Sequence, residues 1–123
     1  MGTVTAARRT RLVDCNPRWV SGRYTGVDSE VPRGVHFDCP EGHEGCSHAI
    51  PFTPALDGTP SASWQTNGAI WQRTGDTFET LTLSPSIRRE PRKVYGADGK
   101  VSEGCALHIF IRDGQIEFCG DSR

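Results

Sequence analysis

The clearest fold signal in the sequence is the stretch Cys105-Ala-Leu-His-Ile-Phe-Ile-Arg-Asp-Gly-Gln-Ile-Glu-Phe-Cys119. Two runs in which apolar and polar residues alternate flank Asp113-Gly114, a dipeptide typical of two-residue hairpin turns. If Arg112 and Gln115 form the closing pair of this turn, Ile109 lies opposite Phe118 on the face that packs on the core. The stretch therefore predicts an antiparallel hairpin with one apolar face.

On the other face of this hairpin, the same register places His108 opposite Cys119. Directly opposed residues have Cβ atoms about 5 Å apart, which is close enough for one metal ion to bind both. Cys105 has the opposite parity along an ideal strand. It joins such a site only if the strand begins at about Leu107 and residues 104–106 form a turn.

A second group of soft ligands lies in residues 39–48, Cys-Pro-Glu-Gly-His-Glu-Gly-Cys-Ser-His. Glycine allows a tight reversal, so several of these side chains can face one point. Two separated ligand pairs are the usual arrangement of a closed tetrahedral zinc site, whereas buried cysteines without a metal are the alternative. The predicted ion is a structural Zn²⁺. Its predicted ligands are Cys39, Cys46, Cys105 and His108, with Cys119 and His48 as substitutes.

Two common catalytic zinc motifs do not fit this cluster. His43-Glu44 resembles the start of HExxH, but His48 follows His43 by five residues instead of four. The glycines at positions 42 and 45 also disfavour the helix that this motif needs. The zinc deaminase signature, H-x-E followed by P-C-x-x-C, is absent.

The rest of the chain predicts more short strands. Residues 35–38 and 48–52 alternate on either side of the cysteine cluster, and residues 77–83 are threonine-rich with a period of two. Asn67-Gly68 predicts a second hairpin, between residues 62–66 and 69–72. Residues 88–103 read as an exposed basic loop. The predicted core consists of Trp64, Trp71, Leu81, Leu83, Ile109, Ile111, Ile116 and Phe118.

Composition favours one small β domain. The chain has 123 residues, a net charge of −1, 35% hydrophobic residues, 14 Gly and 8 Pro. This length fits a single domain, and the Gly and Pro content favours turns over long helices. The predicted fold class is mostly β, a small single domain of antiparallel hairpins stapled by a zinc knuckle, with little helix. Residues 1–33 are predicted to form a solvated Arg-rich N-terminal arm, and residues 34–123 the zinc-binding β domain.

The order of the motifs resembles a family of small bacteriophage and prophage proteins whose members are often labelled ammonia monooxygenase. The resemblance covers roughly residues 35–122. It rests on Cys39-Pro…Cys46-x-His48-x-Ile50-Pro, Trp64-Gln-x-Asn67-Gly68, Thr82-Leu-Ser-Pro-Ser-Ile87 and Cys105-x-x-His108-x-Phe-Ile-x-Asp-Gly-x-Ile-x-Phe118. It implies a compact zinc-knuckle β fold and no established reaction. Here the first cluster is longer than the family's Cys-Pro-x-Cys, and Cys105 is separated from His108.

The function predicted first is a non-enzymatic, phage-encoded accessory protein, a structural-zinc β domain that binds a host or phage macromolecule in the cytoplasm of an infected bacterial host. The surplus of ligands favours a filled metal sphere. The alternatives are a zinc-dependent hydrolase-like enzyme, with Asp38, Glu41 or Glu44 as base, and a nucleic-acid-binding zinc domain that uses the Arg-rich arm. Thiolates favour zinc over the copper or iron of an ammonia oxidase. No apolar run is long enough to cross a membrane.

Overall fold

The computed structural model describes residues 9–21, 31–42, 44–65, 68–89, 93–95, 101–103 and 106–120. Within these ranges, one 3-10 turn, Leu12–Cys15, accompanies ten strands. These are β1 (Arg9–Arg11), β2 (Arg18–Val20), β3 (Gly34–Asp38), β4 (Ser47–Thr53), β5 (Trp71–Thr74), β6 (Thr82–Arg89), β7 (Lys93–Tyr95), β8 (Val101–Glu103), β9 (Leu107–Arg112) and β10 (Gln115–Phe118). The prediction of a mostly β, small single domain with little helix is confirmed. None of the described residues forms a helix long and apolar enough to span a bilayer.

Eight strands form one sheet in the order β1-β10-β9-β6-β5-β4-β3-β2, and β7 and β8 form a separate pair. All neighbours in the large sheet are antiparallel except β4 and β5, which are parallel. The β9–β10 hairpin has the predicted register, with Ile111 opposite Ile116 and Ile109 opposite Phe118. Asp113 and Gly114 both have positive φ, as an Asp-Gly hairpin turn requires.

The core lies against one face of the large sheet because alternate residues of its strands are apolar. In β9, Leu107, Ile109 and Ile111 are buried, whereas His108 and Phe110 are half-buried on the outer face. Six of the eight predicted core residues are buried: Trp71, Leu81, Leu83, Ile109, Ile111 and Ile116. Phe118 packs against the core from the side. Trp64 is half-buried and lies over Gly34, where a Cβ atom would be 2.1 Å from the indole.

The hairpin predicted at Asn67-Gly68 is wrong. Asn67 lies outside the described residues, but Gly68 N–H does donate to Gln65 C=O at 3.0 Å, so the chain turns there. Residues 61–65 form no strand, and β5 pairs with β4 and β6 instead. Serine hydroxyls account for the difference, because Ser61 and Ser63 donate to the carbonyls of Phe52 and Ala69.

Two further strand boundaries differ from prediction. Residues 77–80 form a turn in which the hydroxyls of Thr77 and Thr80 lie 2.8 Å apart, so the strand begins at Thr82. Threonine hydroxyls compete with a β ladder in this way. The predicted exposed loop over 88–103 contains the end of β6 and the paired strands β7 and β8.

Residues 9–20, the part of the N-terminal segment that the structure describes as paired or packed, also differ from the predicted solvated arm. β1 pairs with β10 and β2 with β3, so residues 9–11 and 18–20 form the two edges of the sheet. Leu12, Cys15 and Val20 are buried, and these three apolar side chains hold the segment on the core. The division of the chain at residue 33 stays a prediction.

Candidate functional site

The Cys39–His48 segment, hereafter the knuckle, is the tight connection between β3 and β4. Cys39 follows β3 directly, and its N–H donates to the carbonyl of Cys46 at 2.9 Å. Gly42 N–H donates to Cys39 C=O at 3.0 Å, which reverses the chain. Gly42 and Gly45 have φ of 82° and 73°, a region that favours glycine. The backbone thus brings the two ends of the knuckle together.

Three candidate metal ligands meet at the knuckle. The ligand atoms of Cys39, Cys46 and His48 all lie within 4.8 Å of one another, and Cys46 Sγ is 3.5 Å from His48 Nε2. Cys39 and His48 are only 7% and 8% exposed. Two thiolates and an imidazole at these separations fit three positions of a tetrahedral zinc ion. Alternation along β4 places His48 on the same face as the buried Ile50, so this cluster lies on the core side of the sheet.

The predicted metal ligands divide into three groups. Cys39, Cys46 and the substitute His48 come together in the knuckle. Cys105 lies outside the described residues. His108 and Cys119 are opposite each other as predicted, with Cys119 N–H donating to His108 C=O at 2.9 Å. They lie on the outer face of the sheet and do not belong to the three-ligand group found in the described part of the chain.

A cavity of about 440 Å³ opens beside the knuckle. Arg18 on its wall donates to Asp38 Oδ1 at 2.9 Å, and this hydrogen bond holds the pKa of Asp38 below its usual range. Next to this ion pair, Ser47 Oγ lies 2.8 Å from His36 Nε2. Burial, and then the positive charge of Arg18, lower the pKa of His36. Ser47 and His36 are the first of two serine–histidine pairs.

The second serine–histidine pair lies at a β-bulge on the outer face. Ser86 Oγ is 3.4 Å from His108 Nε2. Leu83 pairs with Ile111 and Ile87 with Ile109, so β6 carries two more residues than β9 between these pairs. Bulges of this kind re-aim a side chain and are over-represented beside active sites. Here Ser86 is the last residue of the bulge.

The strand partners of Ser86 show which side chains near it point away from the core. Ile87 and Ile109 are fully buried, so the residues next to them, Ser86 and His108, point away from the core. Arg88 pairs directly with His108 and is exposed. This arrangement brings a hydroxyl and an imidazole together on a partly exposed surface, which is what nucleophilic catalysis by serine requires.

Sequence reasoning did not select Ser86 as a functional residue. It interpreted Ser84-Pro85-Ser86 as the end of a strand, whereas β6 continues to Arg89. The available signal was the interruption of an otherwise regular strand by Ser-Pro-Ser, which is typical of a bulge. His108 was selected, but as a metal ligand.

One comparison with known proteins identifies a family. The family model described as bacterial ubiquitination-like system serine protease (BubE) matches residues 13–119. This range includes both serine–histidine pairs and the knuckle, and covers most of the chain. The chain belongs to this family. No curated protein matches the chain, and no solved structure matches it.

Proposed function

We propose, from its membership of the BubE family, that this chain is a serine peptidase that cleaves an amide bond at the carboxyl end of a ubiquitin-like protein. The observation that carries the proposal is the 3.4 Å approach of Ser86 Oγ to His108 Nε2. The family description names serine protease chemistry and a ubiquitination-like system. Catalytic hydrogen bonds are often this long before substrate binds and tighten in the complex.

In the proposed reaction, His108 Nε2 accepts the Ser86 hydroxyl proton while Oγ attacks the carbonyl carbon of the amide. The imidazolium then returns that proton to the amine nitrogen, the C–N bond breaks, and an acyl ester remains on Ser86. Water attacks this ester and gives a proton to Nε2. The ester bond breaks, Ser86 Oγ regains the proton from the imidazolium, and a carboxylic acid leaves.

The other pair, Ser47 and His36, is less suited to this chemistry despite its shorter distance. Arg18 Nη2 lies 3.4 Å from the same His36 Nε2 that contacts Ser47. A general base must become positively charged during the reaction, and a neighbouring guanidinium opposes that charge. Ser47 also lies within the knuckle, between the candidate metal ligands Cys46 and His48.

For the knuckle, the proposed metal is a structural Zn²⁺ held by Cys39, Cys46 and His48. When bound, the ion would cross-link β3 to β4 and add its binding free energy to folding. The cluster lies on the core face and Ser86 on the outer face, which supports a metal that stabilises the fold and does not contact the reacting bond. Cys105 stays a predicted fourth ligand. The phage resemblance and the location in an infected host also stay predictions.

A fluorogenic substrate tests the proposed activity. The ubiquitin-like protein of the same bacterial system would carry a C-terminal aminocoumarin amide, and released fluorophore would be measured. Ser86→Ala and His108→Ala should each lower kcat/KM by about a thousandfold or more, because loss of either catalytic member removes nucleophilic attack. Ser47→Ala is the matched control and should stay within about twofold of the unmodified chain.

Two outcomes would contradict this proposal in different ways. If Ser47→Ala loses activity and Ser86→Ala keeps it, Ser47 is the nucleophile and His36 its general base. An unmodified chain that binds the ubiquitin-like protein but never cleaves the amide would favour the non-enzymatic binding domain predicted from the knuckle.

A further inference from the structure

On the side of β6 away from β9, the neighbouring strand β5 ends before it reaches Ser86. β5 has only four residues and pairs with β6 at Thr82, Leu83 and Ser84. Among the described residues, no strand of the large sheet pairs with residues 86–89 on that side. Carbonyl groups there need other hydrogen-bond donors, because a buried carbonyl without one is costly.

Two side chains bridge the gap left by β5, and one of them supplies such a donor. Trp71 Nε1–H donates to the carbonyl of Ser86 at 3.1 Å. Arg89 Nη2 donates to the carbonyl of Ala49 on β4 at 2.6 Å. Trp71 is the first residue of β5 and is 7% exposed, so the core holds its indole ring in place.

The bulge makes the Trp71 hydrogen bond important for Ser86. In-register pairing between β6 and β9 stops at Leu83 and resumes at Ile87. Ser86 therefore lies at the end of a segment that has no in-register partner on β9. Its backbone is fixed by the buried Ile87 on one side and by the Trp71 indole at its own carbonyl.

We propose that Trp71 is a positioning residue for the Ser86 nucleophile. This inference rests on the proposed peptidase function. The indole donor holds the Ser86 peptide unit, so Oγ stays directed at His108 Nε2. Without this donor the bulge has more conformational freedom, and a misplacement of about 1 Å at a nucleophile can cost a hundredfold in rate.

The test uses Trp71→Phe, which keeps an aromatic ring and removes the N–H donor. A fluorophosphonate probe reacts with activated serines, and its maximal inactivation rate and its apparent binding constant are measured separately. We expect the maximal rate to fall at least tenfold in Trp71→Phe and the binding constant to change less than twofold. Trp19→Phe is the matched control, because Trp19 stacks on Phe78 at 4.2 Å, at the β2 edge of the sheet. It should react like the unmodified chain.

A second measurement does not depend on reactivity. In a ¹⁵N-labelled unmodified chain and in Ser86→Ala, the Trp71 indole N–H should be protected from solvent exchange, because its acceptor is a backbone carbonyl. Trp71→Phe identifies the resonance by removing it. Rates are compared at least 15 °C below the thermal midpoint of each variant, so partial unfolding does not contribute.

The outcomes separate this inference from the proposed function. A fast-exchanging Trp71 indole, or a Trp71→Phe chain that reacts at the unmodified rate, overturns the positioning role and leaves the peptidase intact. If the unmodified chain never reacts with the probe, the peptidase proposal fails and the positioning role fails with it. A rate loss shared equally by Trp19→Phe also overturns the specific role of Trp71.

Discussion

The knuckle and the Ser86–His108 pair place reactive side chains in contact by different means. The knuckle takes Cys39, Cys46 and His48 from one ten-residue segment and brings them within 4.8 Å on the core side. Ser86 and His108 are 22 residues apart and meet only because β6 pairs with β9. Local sequence spacing is enough to build the first site, whereas sheet register and a bulge build the second.

The two sites should therefore affect different properties, stability for the knuckle and reactivity for the Ser86–His108 pair. A metal at the knuckle would fix two neighbouring strands next to buried side chains, so it would contribute mainly to the free energy of folding. The Ser86–His108 pair is half-buried on the outer face and contributes little packing. Removing the Ser86–His108 pair should therefore leave the stability that depends on the knuckle largely unchanged.

The largest expected effect on stability comes from the knuckle. Cys39→Ser or a strong chelator should lower the thermal midpoint by at least about 10 °C, since zinc contributes about 10–16 kcal/mol in zinc-finger peptides and whole domains have only about 5–15 kcal/mol. Thermal unfolding of the metal-loaded chain is the measurement.

Ser86→Ala is the control for this stability prediction. A half-buried hydroxyl outside the core should change the midpoint by no more than about 2 °C. Chelated and metal-loaded chains could unfold at the same temperature while amide hydrolysis disappears on chelation. That result would mean that the metal takes part in catalysis, and it would contradict a purely structural role.

Much of this comparison could be predicted from the sequence, and the exceptions have physical causes. The Asp113-Gly114 turn and the alternation around it gave the β9–β10 register correctly, because a two-residue turn fixes register directly. The proximity of Cys39, Cys46 and His48 followed from short spacing and two glycines. Ser84-Pro85-Ser86 favours a bulge in β6, but the contact of Ser86 with His108 depends on β6 pairing with β9 in two registers, which residues distant in the sequence determine.

The N-terminal strands were missed for a related reason. β1 contains two arginines and β2 begins with a third, and the positions of these strands at the sheet edges leave the arginine side chains near solvent. Short, charged edge strands resist unwanted pairing, and in sequence they resemble solvated chain. Burial of Leu12, Cys15 and Val20 becomes visible only when the partner strands are known.

Glycine substitutions compare the β9–β10 turn with the knuckle, and their expected effect on stability is smaller than that of metal loss. Gly114 has φ of 69°, and a Cβ atom there would be 2.6 Å from the carbonyl oxygens of Phe78 and Glu79. Gly114→Ala should cost about 2–4 kcal/mol, from backbone strain plus a clash with backbone atoms. Urea unfolding of the metal-loaded chain measures this loss.

Gly42→Ala is the matched change in the knuckle. Gly42 also has positive φ, 82°, but nothing lies within 4 Å of its Cβ position. It should cost only about 1 kcal/mol, because strain is the single contribution. Equal losses for the two variants would mean that the knuckle is as tightly constrained as the β9–β10 turn.

The smallest expected effect is the pH dependence that His36 gives to the region beside the knuckle. Burial and Arg18 lower the pKa of His36 in the folded chain, so the unfolded chain binds this proton more readily. The His36 contribution to stability is therefore present above the ordinary histidine pKa of about 6.5 and is lost as pH falls below it. His36→Gln should lose less stability between pH 7.5 and pH 5.5 than the unmodified chain. Urea midpoints at the two pH values measure the difference, and a His36→Gln chain with the same or steeper dependence would contradict it.

The nucleophile of this protein is identified most directly by finding which side chain reacts with a fluorophosphonate. The metal-loaded chain is incubated with the probe, its intact mass is measured, and the modified peptide is sequenced by mass spectrometry. We expect one adduct per chain, located on Ser86, absent in Ser86→Ala and slowed by at least about a hundredfold in His108→Ala. An adduct on Ser47, or an unmodified Ser86 in a folded, metal-loaded chain, would contradict it.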